Sequence, residues 1–304
     1  MERNVKLIFN PHADKGQSWK TASALQAVIE LQGGASWAST EYPGHATELA
    51  SKAVEEGFNV VAALGGDGTV HEVINGLMKI PQNARPLLGI VPLGSGNDFG
   101  KNIGIQCDPE QAMLRVFLGD PRSVDIGVIR DNTGREEYWN NTLGIGFDAS
   151  VVFQTNKITR LQGFAMYLWA VIQTIILHHD VAHMTIVTDR ETIDQEILMI
   201  TLCNGPREGG GFNVAPDAKP NDGILDYALI SDVSRLMMFR LIPEVLNGTH
   251  GRFKQVRMGQ FQRIHIDYNR PMAIHTDGEI FTSFTSDVSE VSIEVMPDEI
   301  NVIF

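Results

Sequence analysis

Residues 60–77 leave this chain little choice of fold. Val60, Val61, Ala62, Ala63 and Leu64 are an apolar run of small or β-branched residues, the pattern of a strand buried on both faces. Val70, Val73, Ile74 and Leu77 follow at the i, i+3, i+4, i+7 spacing of one helical face. Between them stand Gly65, Gly66, Asp67, Gly68 and Thr69. Glycine lets a ligand approach the bare backbone, and the first amides of a helix have no partner of their own. A strand, a glycine turn and a helix start together make a phosphate cradle. A carboxylate such as Asp67 repels phosphate unless a cation stands between, so the stretch predicts a nucleotide held with Mg²⁺. The plainer reading is a glycine turn of any α/β protein. No P-loop with its lysine occurs.

A second element of the same kind follows. Residues 86–91 are another buried-strand candidate, running into Pro92, Leu93, Gly94, Ser95, Gly96, Asn97, Asp98 and Phe99. Two such turns, one βα unit apart, can face one ligand at the carboxyl ends of adjacent parallel strands. Upstream, residues 5–9 read as a strand closed by Asn10-Pro11, 22–31 as a helix, 36–40 as a short strand ending at Thr40, and 46–56 as a helix. The result is a βαβαβα pattern, an open doubly wound sheet. Residues 108–118 add a helix, and 124–129 a strand in which Asp125 interrupts an apolar run. That carboxylate is either a strand-end residue or functional.

Beyond Asp125 the pattern changes to strand-like segments at 138–143, 183–188, 195–203, 225–230, 263–268 and 291–295, separated by turn signals. They predict a mainly antiparallel β-sandwich. One helix, 158–179, interrupts it and is apolar nearly all round. Its continuous apolar core is too short to span a bilayer, which needs about 20 residues. It is either buried or presents one face to a cleft for acyl chains. Three further stretches carry chemistry or are mere turns: the glycine-rich 204–212, the Asp222-Gly223 turn within 218–226, and Thr276-Asp277-Gly278-Glu279. On an extended chain, Asp277 and Glu279 would share a face. His71, His178 and His275 read as structural or exposed.

Composition narrows the partners. A formal net charge of −13 argues against nucleic acid and against docking on anionic lipid by bulk charge. Two distant cysteines, Cys107 and Cys203, have no metal spacing and suit a reducing compartment. A strand beginning at Val5 leaves no room for a signal peptide, so a cytoplasmic protein is expected.

Gly65-Gly66-Asp67-Gly68-Thr69 with Glu72 and Asn75, followed by 92–99, resembles the diacylglycerol kinase catalytic domain. Within it, the likeness is to bacterial lipid kinases related to sphingosine and ceramide kinases. NAD kinases and phosphofructokinases share only the first motif. The resemblance extends over nearly the whole chain. It implies a nucleotide-binding α/β domain over 1–125, to which 295–304 return, and a lipid-binding β-sandwich over 126–294.

It further implies that Asn10, Thr40, Gly65, Gly66, Asp67, Gly68, Thr69, Glu72, Ser95, Asn97 and Asp98 surround ATP. Asp67, Asp98 and Asp125 would form an acidic cluster that organises Mg²⁺ and its waters. Asp222 would offer a carboxylate, and Lys219 and Ile224 carbonyls, to a structural Mg²⁺ or Ca²⁺. Glu279 would take the proton from a lipid hydroxyl, with Asp277 the rival for that role. The implied activity is ATP- and Mg²⁺-dependent phosphorylation of a lipid hydroxyl, foremost that of diacylglycerol, by a protein visiting the membrane surface. A homodimer stays open. The alternatives are an NAD kinase relative and a lipid or nucleotide sensor without catalysis.

Overall fold

The computed structural model describes residues 3–16 and 18–304. Two compact units emerge, one comprising the chain up to Asp125 together with Asp298–Phe304, the other Ile126–Pro297.

The first unit is built on parallel strands. In chain order it holds β1 (Val5–Phe9), α1 (Ser18–Ala24), α2 (Gln26–Leu31), β2 (Ser36–Ser39), α3 (His45–Ser51), β3 (Val60–Gly65), α4 (Asp67–Leu77), β4 (Leu87–Pro92), α5 (Asp98–Asn102) and α6 (Pro109–Leu118). The strands lie in the order β2-β1-β3-β4. Every residue of β1 and β3 is buried, as the unbroken apolar runs require. Leu7, Phe9, Val60, Ala62 and Leu64 meet α1, α2 and α6 in one core, while α3 and α4 pack on each other. Helix α6 starts where Asp108 accepts the Gln111 amide, with Pro109 in the first turn. The helix expected over 22–31 is broken at Leu25, whose amide bonds the Ala22 carbonyl three residues back. The one expected over 46–56 ends as regular helix at Ser51.

Two strands are shared along the chain. β5 (Pro121–Asp131) begins in the first unit, and a last strand, Glu290–Ile303, ends in it. There Val302 pairs in parallel with Leu88 of β4. Buried Arg85 donates to the Glu299 carbonyl (2.5 Å) and carboxylate (2.9 Å). The Asp298 amide donates to Asp125 Oδ1 (2.9 Å).

The second unit contains β6 (Glu136–Trp139), β7 (Thr142–Gly146), α7 (Phe147–Thr155), α8 (Gly163–Leu177), β8 (Ala182–Thr188), β9 (Thr192–Cys203), β10 (Leu225–Ser231), α9 (Arg235–Leu246), β11 (Val256–Phe261), β12 (Arg263–Tyr268), β13 (Ile274–Thr276), β14 (Glu279–Thr282) and the start of β15 (Glu290–Ile303). All its strand pairings given by register are antiparallel, in keeping with the sandwich expected. Long β9 joins the parts: its first half pairs β8, its second half pairs β7, and β10 runs along its other edge. Trp139, Tyr227 and Phe261 fill one core. A second core lies under α7, α8 and α9.

Several expectations need correction here. The strand expected over 138–143 is two strands, because the Asp277 carboxylate takes the amides of Asn140, Asn141 and Thr142 at the break. Three helices, not one, interrupt the strands. The expected 158–179 helix begins at Gly163 and is not buried: Ala170, Val171, Thr174 and Ile175 face inward, while Trp169, Ile176 and Leu177 are exposed.

The α3–α4 contact depends on a missing side chain. A Cβ on Gly76 would stand 2.4 Å from the Thr47 carbonyl oxygen and 2.7 Å from Ala50 Cβ. Backbone cannot yield as a flexible side chain does, so Gly76→Ala should destabilise the protein by about 1–3 kcal/mol. A thermal melt unchanged from wild type would contradict this packing.

Candidate active site

In the first unit the two glycine turns touch. A Cβ on Gly94 would fall 2.4 Å from Gly66 Cα, so Gly94 tolerates no side chain, and one on Gly66 would be tight at 3.3 Å from Gly94 Cα. Asn97, in the left-handed region at φ 54°, closes the second turn: its side chain accepts from the Gly94 amide (3.0 Å) and donates to the Gly94 carbonyl (2.6 Å). Asp67 Oδ1 accepts the Phe99 amide (3.1 Å), which ties one turn to the other. A Cβ on Gly96 would lie 2.8 Å from Asp67 Oδ2 and 3.7 Å from Asp98 Oδ2. Both carboxylates therefore border one bare glycine. Ser95 is exposed on the same turn, and Gly68 and Thr69 lie in the first turn of α4. Asn10 donates to Thr69 Oγ1 (3.1 Å), and the Thr40 amide donates to the Phe9 carbonyl (2.8 Å), so the ends of β1, β2 and β3 come together here.

This arrangement can hold phosphate on the amides opening α4 and a hard cation on the carboxylate oxygens of Asp67 and Asp98. Two residues stand apart from the expected set. Both oxygens of Glu72 accept α3-entry amides, from Gly44 (2.9 Å) and Ala46 (3.0 Å), so this side chain caps α3 and holds the loop after Thr40. Asp125 is buried and holds the Asp298 amide. It does not join Asp67 and Asp98 in a trio: among the described residues, the trios whose ligand atoms lie within 4.8 Å of one another are Asp148–Glu208–His275 and His265–Asp267–Glu290.

In the second unit, Asp277 and Glu279 do not share a face. Asp277 (φ 53°) and Gly278 (φ 87°) form the two-residue turn between β13 and β14, with Thr276 opposite Glu279. Positive φ at both positions is the type I′ hairpin that Asp-Gly favours. Asp277 folds back onto the amides of Asn140, Asn141 and Thr142 at 2.8 to 3.1 Å, and its own amide donates to the Thr142 carbonyl. It clamps the start of β7 to the hairpin. Glu279 is exposed at the start of β14.

A buried polar cluster beside this hairpin had no signal in the sequence beyond isolated letters. Asp148, in the first turn of α7, accepts from Thr201 Oγ1 (2.6 Å) and Tyr167 (3.3 Å), and lies 3.3 Å from His275 Nε2. Tyr167 also reaches Glu208 (3.4 Å). Burial by itself would raise the Asp148 carboxyl. The neighbouring His275 and the hydrogen bond from Thr201 outweigh it and hold the group below its usual range. His275, expected to be structural or exposed, is buried, and its Nδ1 accepts the Gly278 amide (3.3 Å).

Next to the cluster is a cavity of about 80 Å³, open in part to solvent. Val151, Val171, Ile175, Met238, Leu241 and Ile242 give it apolar walls, with Asp148, Tyr167, Glu208 and His250 as polar lining. The glycines of 204–212 act sterically here: a Cβ on Gly209 would meet the Tyr167 ring at 2.4 Å, and one on Gly211 the Phe164 ring at 3.1 Å.

The Asp222 loop is the remaining candidate. Asp222 Oδ1 accepts the Ile224 amide (3.2 Å), Gly223 takes φ 73°, and Lys219 is exposed. Nearby Asp226 is buried, with Oδ1 held by Gln260 and Oδ2 without a hydrogen-bond partner. Burial, then Asp222 and Asp217, push its pKa up to about 6. A buried carboxylate oxygen among acidic neighbours suits a divalent cation held on oxygen ligands.

Residues 4–129 match the model of the diacylglycerol kinase catalytic domain, and residues 141–304 that of the YegS C-terminal NAD kinase beta sandwich-like domain. A protein named Probable lipid kinase YegS-like, from Chromohalobacter salexigens, is 32% identical over 243 residues, covering 78% of this chain and 74% of that protein. The chain belongs to the diacylglycerol kinase family of lipid kinases. A Mycobacterium tuberculosis relative of this lipid kinase, named diacylglycerol kinase, is 26% identical over 297 residues, covering 94% and 92% of the two chains. The lipid kinase fold also matches the crystal structure of a Bacillus anthracis diacylglycerol kinase (TM-score 0.73, 21% identity, 99% and 97% covered). Yeast NADH kinase with NADH is more distant (TM-score 0.55, 9% identity, 99% and 83% covered). No helix among the described residues is long and apolar enough to cross a membrane.

The raised Asp226 group gives this lipid kinase a pH test. A carboxyl that is harder to ionise in the folded state adds stability below its ordinary pKa of 3.8 and loses it as pH rises through about 6. In chelator, Asp226→Asn should therefore melt above wild type at pH 7 and at the same temperature at pH 4. A divalent cation should close the gap at pH 7 by stabilising the wild type. A gap that ignores added cation would remove the ion from this loop.

Proposed function

We propose that this lipid kinase transfers the γ-phosphoryl group of ATP to the free hydroxyl of diacylglycerol, giving phosphatidic acid. The observation that carries the nucleotide half of the reading is the pairing of Asp67 and Asp98 at bare Gly96, beside the amides opening α4. Asp67 and Asp98 would hold Mg²⁺, which when bound offsets the charge on the phosphate oxygens. Asn10, Thr40 and Thr69 order the strand ends around the nucleotide, and Ser95 and Asn97 shape the second turn. The cavity under α7, α8 and α9 takes an acyl chain along its apolar walls. Its likeness to relatives named diacylglycerol kinase supports the acceptor, and its fold alone connects it to NADH kinase.

In the transfer, the lipid oxygen forms its bond to the γ-phosphorus as the bond to the bridging oxygen breaks, ADP leaves, and the hydroxyl proton passes to Glu279. The loose transition state needs little deprotonation early, so a positioned base contributes about 10²–10⁴-fold. Glu279→Gln should lower kcat by about that factor with little change in the KM for ATP. Native turnover in that variant would refute the assignment. Asp277→Asn should instead act on folding, lowering the melting temperature, because the clamp on residues 140–142 loses acceptors.

Asp67→Asn should keep the native melt and lower Mg²⁺-dependent turnover by roughly 10²-fold or more. Incubation with labelled ATP and separate diacylglycerol, sphingoid, ceramide, prenol and NAD acceptors tests the substrate. Label entering any acceptor other than diacylglycerol in preference to it would replace this reading.

A further inference from the structure

The polar end of the apolar cavity is built on two carboxylates that the reaction as derived leaves unused. Asp148 and Glu208 are both buried and both line the cavity, with the Tyr167 hydroxyl 3.3 Å from one and 3.4 Å from the other. An oxygen of each lies within 4.8 Å of the other and of a His275 ring nitrogen. The backbone of β7 makes room for this group, since a Cβ on Gly144 would overlap both Asp148 Oδ2 and His275 Nε2. The buried Nε2 makes no hydrogen bond, although Asp148 Oδ2 is 3.3 Å away. Polar groups buried with incomplete partners cost free energy that a ligand in the cavity can return.

The lining fixes the sign of the charge at that end. Among the described residues that line the cavity, none is lysine or arginine. His250 lines it too, but its ring is bonded to the Val214 carbonyl (3.0 Å) and burial pushes its pKa down, so it stays neutral at pH 7. Asp148 is held below the ordinary carboxylate range and is ionised. The neighbouring Cys203 reports the field: burial, then Glu208, Asp148 and Asp226, push its thiol well above the usual value. The hairpin that carries Glu279 stands one imidazole away, through the bond from the Gly278 amide to His275 (3.3 Å). An acceptor with its chain in the cavity and its hydroxyl at Glu279 therefore lays the atoms between them against these carboxylates. In diacylglycerol those atoms are an ester. In a lipid such as phosphatidylglycerol they are a phosphodiester, and like charges this close in a partly dry site repel strongly.

We propose that Asp148 and Glu208 make the acceptor cavity charge-selective, admitting lipids whose headgroup carries no negative charge and turning away those with a phosphodiester between the hydroxyl and the chains. The two carboxylates act on the choice of acceptor and not on the transfer, which is left to Glu279. The selection rests on the acyl-chain reading of the cavity above.

Rates with labelled ATP on dioctanoylglycerol and on dioctanoylphosphatidylglycerol, alike in their chains, test the selection. The wild type should favour the neutral lipid by roughly 10²-fold in kcat/KM. Glu208→Gln and Asp148→Asn each keep the shape and remove one charge, and each should shrink that ratio about tenfold. The ratio is the readout because a loss of fold lowers both rates together, and Glu208→Gln carries the test if Asp148→Asn melts early. A ratio of one or less in the wild type, or one that neither variant shifts, overturns the proposal. Isothermal titration with dodecylamine and dodecanoate, alike in chain and opposite in charge, is independent of turnover. The wild type should hold the amine roughly tenfold or more tightly, and Glu208→Gln should narrow the gap. Equal affinities, or a gap that Glu208→Gln leaves unchanged, overturn the proposal. If neither lipid is phosphorylated, the acceptor reading fails while the titration still decides the charge selection.

Discussion

The backbone at Gly66 and that at Gly94 can come as close as they do only if Gly94 carries no Cβ. That contact fixes the whole first-unit site. With the turns apposed, the Phe99 amide reaches Asp67, and Asp98 opens α5 beside it. Asn97 then has to take a left-handed conformation, which asparagine tolerates better than other side-chain-bearing residues because its short amide bonds locally. Here it does so twice, to both ends of the Gly94 peptide. Glu72 and Asp125 act one step further out. Glu72 holds the loop after β2, Asp125 the returning C-terminal segment, and each uses a carboxylate on backbone amides.

The first-unit site was legible because it is local. Strand, turn and helix start within five residues, and the glycine spacing states where backbone must be bare. The same locality misled at Asp277. Alternation along an extended chain pairs it with Glu279, but Asp-Gly is also the strongest two-residue hairpin signal, and the turn rule won. Helix α9, absent from the sequence reading, has Pro243 inside it. Its missing amide leaves the carbonyl of Phe239, an exposed residue, for solvent, while Ser234 caps the start by accepting the Met237 amide.

The cavity and its polar cluster were illegible for a different reason. Asp148, Tyr167, Thr201, Glu208 and His275 come from five separate places in the chain, and none has a spacing that announces the others. The glycine run at 209–211 did stand out, but its cause is a contact with the aromatic rings of α8, which no pattern within the run encodes. Likewise the periodicity of α8 shows that it is apolar without showing which side faces solvent.

A buried cluster of this kind costs more desolvation than an apolar core of the same shape would, so its value lies in specifying geometry. Here the geometry it specifies is that of the β13–β14 hairpin. His275 Nδ1 holds the Gly278 amide while its Nε2 faces Asp148, and Asp148 is fixed by Thr201 and Tyr167. From the other side, Asp277 grips three successive amides at residues 140–142. Both residues of the turn are thus fastened to separate parts of the second unit. A hairpin turn at a sheet edge ordinarily frays, and a carboxylate following it would sample many positions. Fastened at 277 and 278, the chain has little freedom left by the time it reaches Glu279. That is the pre-organisation that the base proposed at Glu279 would need.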